Sequence, residues 1–536
     1  MSKKNQKTQS MSARSKQPMS KAAAPRRQRH ILLPILPSFF VAIWLWGAFY
    51  YGSVLHVTRE YSFWAVDMRL MQFVLSQSFG PLRYVGRMLL QICQYPWLGA
   101  LLLATMLTLG SWLLGYCMRL SPKWRPLQYV PAFLYLGVVT YLGLDVFFEA
   151  ETGYLFGIPF VVLLVLSIWG IMIRSFSRKP VPSLFRIPKD ETPRQNYCQM
   201  ILLVLAFSII IGFGEWKRPY VRVVCQEMAM QYEQDWAGIQ RVARANAIQS
   251  NRPMAAYYAM ALLHTGQIAE RMYDIRLDYD SLYLHGMDKM HNNGSGLYVP
   301  EGNYHAGFVE PCMHACMEQM VMSGPTLRLL KLQIKCALMR GEWMLCRKYF
   351  RILHEVPFEQ AFIRKYEPMV EHPDLVNSDS EMARLRLTEP IHDCFESQFQ
   401  QPFFMGYNLN LVEARSAEAL YNCLCVCLYT KLMPPFLART QLLKGSTPPE
   451  TIADGLLLAE MKHPGASQGY GNLDMRATRL QSFVQAVQPY MKDRPAHAYE
   501  LFNKYKGYYP YYYFFGNLKA TKKGYTGEKA SNSGVN

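Results

Sequence analysis

WLGALLLATMLTLGSWLLGYC, residues Trp97–Cys117, holds no charged side chain. A helix that crosses a bilayer needs about 20 mainly apolar residues, so this stretch sets the fold class of what surrounds it. Four further runs share its character: Ile31–Tyr51, Tyr129–Phe147, Tyr154–Ile173 and Gln199–Gly214. The last, QMILLVLAFSIIIGFG, is short, but Tyr197 and Trp216 stand at its ends as interfacial anchors. Asp145 is the one acid within a run, close to the end of the third. The expectation is an all-α protein with a five-helix transmembrane region.

The 536 residues are 51% hydrophobic and 14% aromatic, with a net charge of +18. A disordered chain lacks the apolar residues for such a core, and 34 glycines and 12 cysteines exclude a collagen or a small disulfide scaffold. Through Gly214 there are 22 Lys and Arg against 7 acids, and beyond it 35 against 32; the nets of +15 and +3 sum to +18. A nucleic-acid binder would carry its basic stripe on a folded domain. Here the excess flanks the apolar runs, so a lipid bilayer is the expected partner and nucleic acid is not.

Loop charges then orient the spans. Lys3, Lys4, Lys7, Arg14, Lys16, Lys21, Arg26, Arg27 and Arg29 precede the first run; Arg119, Lys123 and Arg125 follow the second; six more lie between Arg174 and Arg194. The alternate connections carry Arg59, Arg69, Arg83 and Arg87. The positive-inside rule therefore predicts a cytoplasmic N-terminus and, after five spans, a periplasmic C-terminal domain on an inner-membrane protein. The basic tail is long and no A-x-A site follows the first run, so that run reads as an uncleaved anchor rather than a signal peptide. Within the external segment 52–95, Tyr61–Val74 has the pattern of an interfacial amphipathic helix, and Pro96 separates Leu89–Tyr95 from the second span.

After Trp216 the apolar spacing is helical. ALLHTGQIAERMY (Ala261–Tyr273) and ALMRGEWMLCRKYF (Ala337–Phe350) align on Gly266 and Gly341, each ending one helix with an apolar residue two places on. Glycine there suits a left-handed turn that reverses the chain. The two lie 75 residues apart, near two repeats of a 34-residue type, and Trp236, Ile239 and Ala243 resemble the start of a tetratricopeptide helix. Further pairs are expected at Ala417–Tyr429 with Pro435–Leu443 and at Ile452–Met461 with Arg476–Met491, then a last helix Ala496–Lys506. The aromatic run Tyr508–Phe515 is expected to cap the stack. Asn292–Tyr304 and Glu371–Ser380 read as loops. The predicted organisation is a basic tail (1–30), the transmembrane region (31–214), a tetratricopeptide-like helical-repeat domain (215–520) and a disordered tail (521–536).

PLRYVGRMLLQICQYPWLGALLL (Pro81–Leu103), the helix around Gly266 and the stretch from Gly341 to Tyr349 together resemble an uncharacterised Bacteroidetes-type family of multi-pass membrane proteins with a tetratricopeptide-like C-terminal half. The resemblance covers most of Ile31–Ala520. It implies an inner-membrane location and supplies no activity, cofactor or site residue.

Candidate chemistry is sparse. GASQG (Gly465–Gly469) matches a G-x-S-x-G elbow, but it lies between helices, without the strand that the elbow needs. Cys312 and Cys316 share one helical face and His314 and Glu318 the opposite one, which suits core thiols beside a solvated pair. Cys423, Cys425 and Cys427 read as small buried residues. Nine cysteines follow Gly214, an odd number, so at least one stays unpaired within the chain. No phosphate-binding loop, H-E-x-x-H motif or dinucleotide fingerprint occurs, and no cofactor or metal is expected. Glu60 and Asp67, acids after the first span, suit an alternative: an envelope-glycan or lipid-linked-sugar transferase using a carboxylate as general base or metal ligand. The favoured expectation is a non-enzymatic, membrane-anchored scaffold that binds a protein or peptide, tolerant of substitution at both acids.

Overall fold

The computed structural model describes residues 35–121, 124–142, 151–176, 193–277, 295–389, 414, 416–429 and 431–516. Among them every regular element is a helix. The basic tail and the stretch from Thr521 lie outside the described residues.

Three helices are long and apolar enough to cross a membrane: Pro96–Met118, Tyr154–Ser175 and Arg194–Lys217. A fourth candidate is bent: Ile35–Tyr50 turns by 66° into Gly52–Glu60. The sequence predicts five. The difference lies at Tyr129–Phe147, where Val130–Gly137 and the π-turn Val138–Leu142 are described and the remainder is not. The short run Gln199–Gly214 gains length at both ends, because the helix runs from Pro193 to Lys217. Pro96 starts its helix at the first turn, where a missing N–H costs nothing.

Glycines set the tightest helix contact. Gly80–Leu90 crosses the start of Tyr154–Phe176 so closely that a Cβ on Gly86 would lie 1.9 Å from the Gly153 carbonyl oxygen, and one on Gly157 would lie 2.6 Å from that of Leu82. Small residues spaced four apart allow such backbone approach. Arg87 fastens the crossing, with Nε and Nη2 each donating at 2.6 Å to the two oxygens of Glu151.

The segment after Glu60 departs from its expected form. Tyr61–Asp67 is not helical; the helix begins at Met68, capped by Asp67, whose Oδ1 accepts from Leu70 N at 2.7 Å. The preceding residues dock instead: Leu327 N donates to Ser62 O at 3.0 Å, Val66 N to Glu355 O at 2.9 Å, and Phe63 and Ala65 are buried among Leu327–Leu385. Met68, Phe73 and Leu75 on the short helix remain exposed.

Beyond Lys217 the helices run in hairpins. Five reversals among the described residues are built alike, with left-handed backbone at Gln234, Gly266, Gly307, Gly341 and Lys431. At each, that residue's N–H bonds the carbonyl three residues back and the next N–H bonds the carbonyl five back: Gly266 to Leu263 and Gln267 to Leu262, Gly341 to Leu338 and Glu342 to Ala337. Gln234 and Asp235 repeat it on Gln231 and Met230, Gly307 and Phe308 on Tyr304 and Asn303, and Lys431 and Leu432 on Leu428 and Cys427. This is the Schellman closure, which satisfies carbonyls that a helix end leaves open. Two places after each comes Trp236, Ile268, Val309, Trp343 or Met433, which carries the chain into its next helix.

Asn292–Tyr304 is not wholly a loop, since Val299–His305 is a buried helix, and Glu371–Ser380 contains the short helix Asp374–Ser378. The aromatic run forms the helix Tyr509–Phe515 and lies inside the core. Tyr512 packs against Tyr273 at 4.8 Å between ring centroids and donates its hydroxyl to Tyr429 O at 2.8 Å.

Candidate functional site

The densest polar arrangement runs along one face of the helix Leu327–Arg340. Arg328, Lys331 and Lys335 are spaced three and four apart, so they line up, and each meets a carboxylate from a different part of the chain. Arg328 pairs with Glu301 and lies over the Tyr61 ring at 4.2 Å. Lys331 Nζ lies 2.9 Å from Glu60 Oε1 and 2.9 Å from Glu359 Oε2. Lys335 Nζ lies 2.9 Å from Glu381 Oε1.

The middle rung is a quartet. Arg59 donates to Glu60 at 2.7 Å, to Gln94 Oε1 at 2.6 Å and to the Pro357 carbonyl at 2.9 Å, and pairs with Glu359 at 2.5 Å. Arg59 is 0% exposed, Glu60 1% and Glu359 3%. Two cations thus offset two carboxylates in a largely buried site, reached by solvent only at Lys331, where any one of the four left alone would be costly. Glu60 ends the helix that continues the first apolar run, so the quartet locks that helix to the region beyond residue 300.

Of the two candidate acids, Glu60 has Lys331 on both oxygens, Oε1 at 2.9 Å and Oε2 at 3.0 Å. Asp67 is an exposed helix cap. The two therefore serve separate structural contacts. Sequence reasoning flagged the acids and missed Lys331 and Glu359, because nothing local connects positions that far apart.

A second buried network lies in the first hairpins. His264 stacks flat on Trp236, centroids 4.0 Å apart and planes within 1°. Its Nε2 lies 2.8 Å from Nδ1 of His305, whose Nε2 lies 2.9 Å from Gln231 Nε2. The Gln231 amide nitrogen donates to His305 Nε2, and His305 Nδ1–H donates to His264 Nε2, so each ring keeps one accepting nitrogen and is neutral. Burial holds His264 down at about 4 and His305 well below the usual histidine range. Glu227, one turn before Gln231, is fully buried with neither oxygen hydrogen-bonded among the described residues, and burial pushes its carboxyl well above the usual range.

The remaining sequence candidates have structural explanations. The GASQG loop wraps Glu460: Gly465 N and Ser467 N donate to its two oxygens at 2.7 Å each, and the Ser467 hydroxyl donates at 3.0 Å. These bonds hold the Glu460 carboxyl below its ordinary range, and the serine is a ligand of that carboxylate. Cys423, Cys425 and Cys427 are all buried in Ala417–Tyr429, a helix buried all round from Asn422 to Tyr429. Cys312 and Cys316 are buried while His314 and Glu318 are exposed.

The architecture defines an all-helical protein that joins apolar helices of membrane-spanning length to a run of helical hairpins through a buried ionic seam. The chain belongs to DUF6057, a family of unknown function, whose model matches residues 28–212 and 152–516. No curated protein and no solved structure matches it.

Proposed function

We propose that this chain is a membrane-anchored scaffold, a multi-pass inner-membrane protein whose periplasmic helical-repeat domain binds a protein or peptide partner. Five crossings carry the chain from a cytoplasmic N-terminus, with Tyr129–Phe147 as the third. The 18 basic residues on one set of connections against four on the other support that orientation. The observation that carries the binding reading is the reversal repeated at Gln234, Gly266, Gly307, Gly341 and Lys431. Gln234 and Gly266 are 32 residues apart, close to the tetratricopeptide period, and stacked helical pairs present extended concave faces to peptides. The ionic seam supports it too: a scaffold must hold its binding face at a fixed attitude to the membrane.

Two measurements test this. A reporter active only outside the cytoplasm should work when fused after Leu518 and be silent near Lys189; the opposite pattern removes the topology. Full-length tagged protein, extracted in detergent after cross-linking in cells, should retain a stoichiometric partner. Aspartate at exposed hairpin positions such as Met344 or Met475, which are 78% and 88% exposed, should release it without changing the melting temperature. Absence of such a partner, or its indifference to every exposed substitution, removes the binding reading.

A further inference from the structure

The helices Val309–Ser323 and Leu327–Arg340 form a hairpin closed by Gly324 at φ +87° and capped by Thr326. Their facing sides carry three cysteines, all 0% exposed: Cys312, Cys316 and Cys336. The Sγ atoms of Cys312 and Cys336 touch at 3.4 Å. Gln333, three residues before Cys336, ties the same two helices by donating to the Met313 carbonyl at 2.8 Å. The two sulfurs therefore stand at one level of a fixed hairpin, about 1.4 Å farther apart than bonded sulfurs.

We propose that Cys312 and Cys336 are joined by a disulfide in the exported protein. The inference rests on the periplasmic placement proposed above, since disulfides persist in oxidising compartments. Cys316 lies beside Cys312 but four residues along the same helix, a poor position for the approach of Cβ atoms that a disulfide requires. Burial raises the thiols of both Cys312 and Cys336 above their ordinary range, which slows thiolate attack in the packed hairpin.

The chemistry balances with an external disulfide as oxidant. One cysteine thiolate attacks a sulfur of the oxidant's disulfide and releases a thiolate, giving a mixed disulfide. The second thiolate then attacks the protein sulfur of that bond and releases the oxidant as a dithiol. Two S–H bonds are lost and one S–S bond is made. The oxidant's S–S bond is broken, and it takes up two electrons and two protons to become the dithiol.

The test traps thiols in cells with acid and alkylates the full-length protein with N-ethylmaleimide under denaturing conditions, with and without prior reduction. The expected result is that Cys312 and Cys336 take up label only after reduction, and that a peptide pair linked through them appears by mass spectrometry. Cys336→Ser should expose Cys312 to label without reduction, while Cys316→Ser should leave the linked pair intact. Full labelling of both thiols without reduction, in cells where the reporter after Leu518 is active, overturns the proposal while the topology stands. If the reporter is silent, the topology falls and purified full-length protein decides. Incubated in glutathione disulfide with mild urea, it should gain the Cys312–Cys336 link, and failure to gain it overturns the proposal.

Discussion

Lys331 holds both carboxylate oxygens of Glu60, at 2.9 and 3.0 Å, across 271 residues of chain. With Arg59 and Glu359 this contact forms a buried, charge-balanced seam between the helix that follows the first apolar run and the hairpins. Such a site contributes little net stability over well-packed apolar residues, but it strongly penalises loss of one member, and so specifies one docking arrangement.

Removing one cation should therefore be costly. Lys331→Met leaves Glu60 and Glu359 with Arg59 alone and should destabilise the detergent-solubilised protein by about 3–5 kcal/mol. Adding Glu60→Gln should restore part of the loss, because the pair is coupled. Asp67→Asn keeps a capping oxygen and should cost only a few tenths of a kcal/mol. Additive melting shifts for Lys331→Met and Glu60→Gln would contradict the seam. Loss of cellular function in Asp67→Asn at normal protein level would instead favour a transferase. The tolerance at Glu60 expected from the sequence is thus replaced by a stability cost.

The turns allow a second test. Gly266 and Gly341 have φ of +68° and +74°, where an L side chain is strained. Alanine at either should lower stability by about 1 kcal/mol or more. At Gly341 a Cβ meets nothing closer than the Trp343 ring at 3.5 Å, so that variant isolates the backbone cost. Unchanged melting of both variants would remove the turn argument.

These turns also show where a single sequence is legible. Gly266 and Gly341 are visible because glycine is the usual residue for left-handed backbone. Gln234 and Lys431 adopt the same conformation and close the same hydrogen bonds, yet neither residue type announces it. Both side chains make contacts far along the chain, since Gln234 reaches Glu381 and Lys431 donates to the Tyr513 carbonyl at 3.1 Å. The aromatic run Tyr508–Phe515 was legible as packing but not as interior, since its partners Tyr273 and Tyr429 come from distant helices. Apolar helices could be read from length and composition, whereas the 66° bend after Tyr50 and the docking of Phe63 depend on neighbours no local window contains.

The histidine pair makes stability depend on pH. His264 is neutral in the fold and held at about 4, with Glu381, Arg384 and Lys335 as the charged groups acting on it. In the unfolded chain a histidine titrates near 6.5. Between these values the unfolded state binds the proton that the folded state refuses, so stability falls as pH drops from about 6.5 to about 4. The loss from His264 alone should reach roughly 2–3 kcal/mol. Thermal melts at pH 7.5, 5.5 and 4.5 should show a progressive decline, made shallower by His264→Gln. A decline of equal slope in that variant would assign the acid sensitivity elsewhere.

The helix crossing at Gly86 gives the last prediction and carries its own control. A methyl group there would stand 1.9 Å from the Gly153 carbonyl oxygen, which is backbone and cannot rotate away, so the two helices would have to separate. Separation would also lengthen both Arg87–Glu151 hydrogen bonds, now 2.6 Å. Overpacking of this kind costs about 1–3 kcal/mol. Gly110, in the helix Pro96–Met118, has no atom within 4 Å of its Cβ position, so alanine there fills open space and favours the helix. Gly86→Ala should therefore lower the melting temperature and make Glu151 more accessible to carbodiimide labelling, while Gly110→Ala should leave both unchanged or slightly raise the first. Equal behaviour of the two variants would mean that Gly80–Leu90 does not cross Tyr154–Phe176 at Gly86.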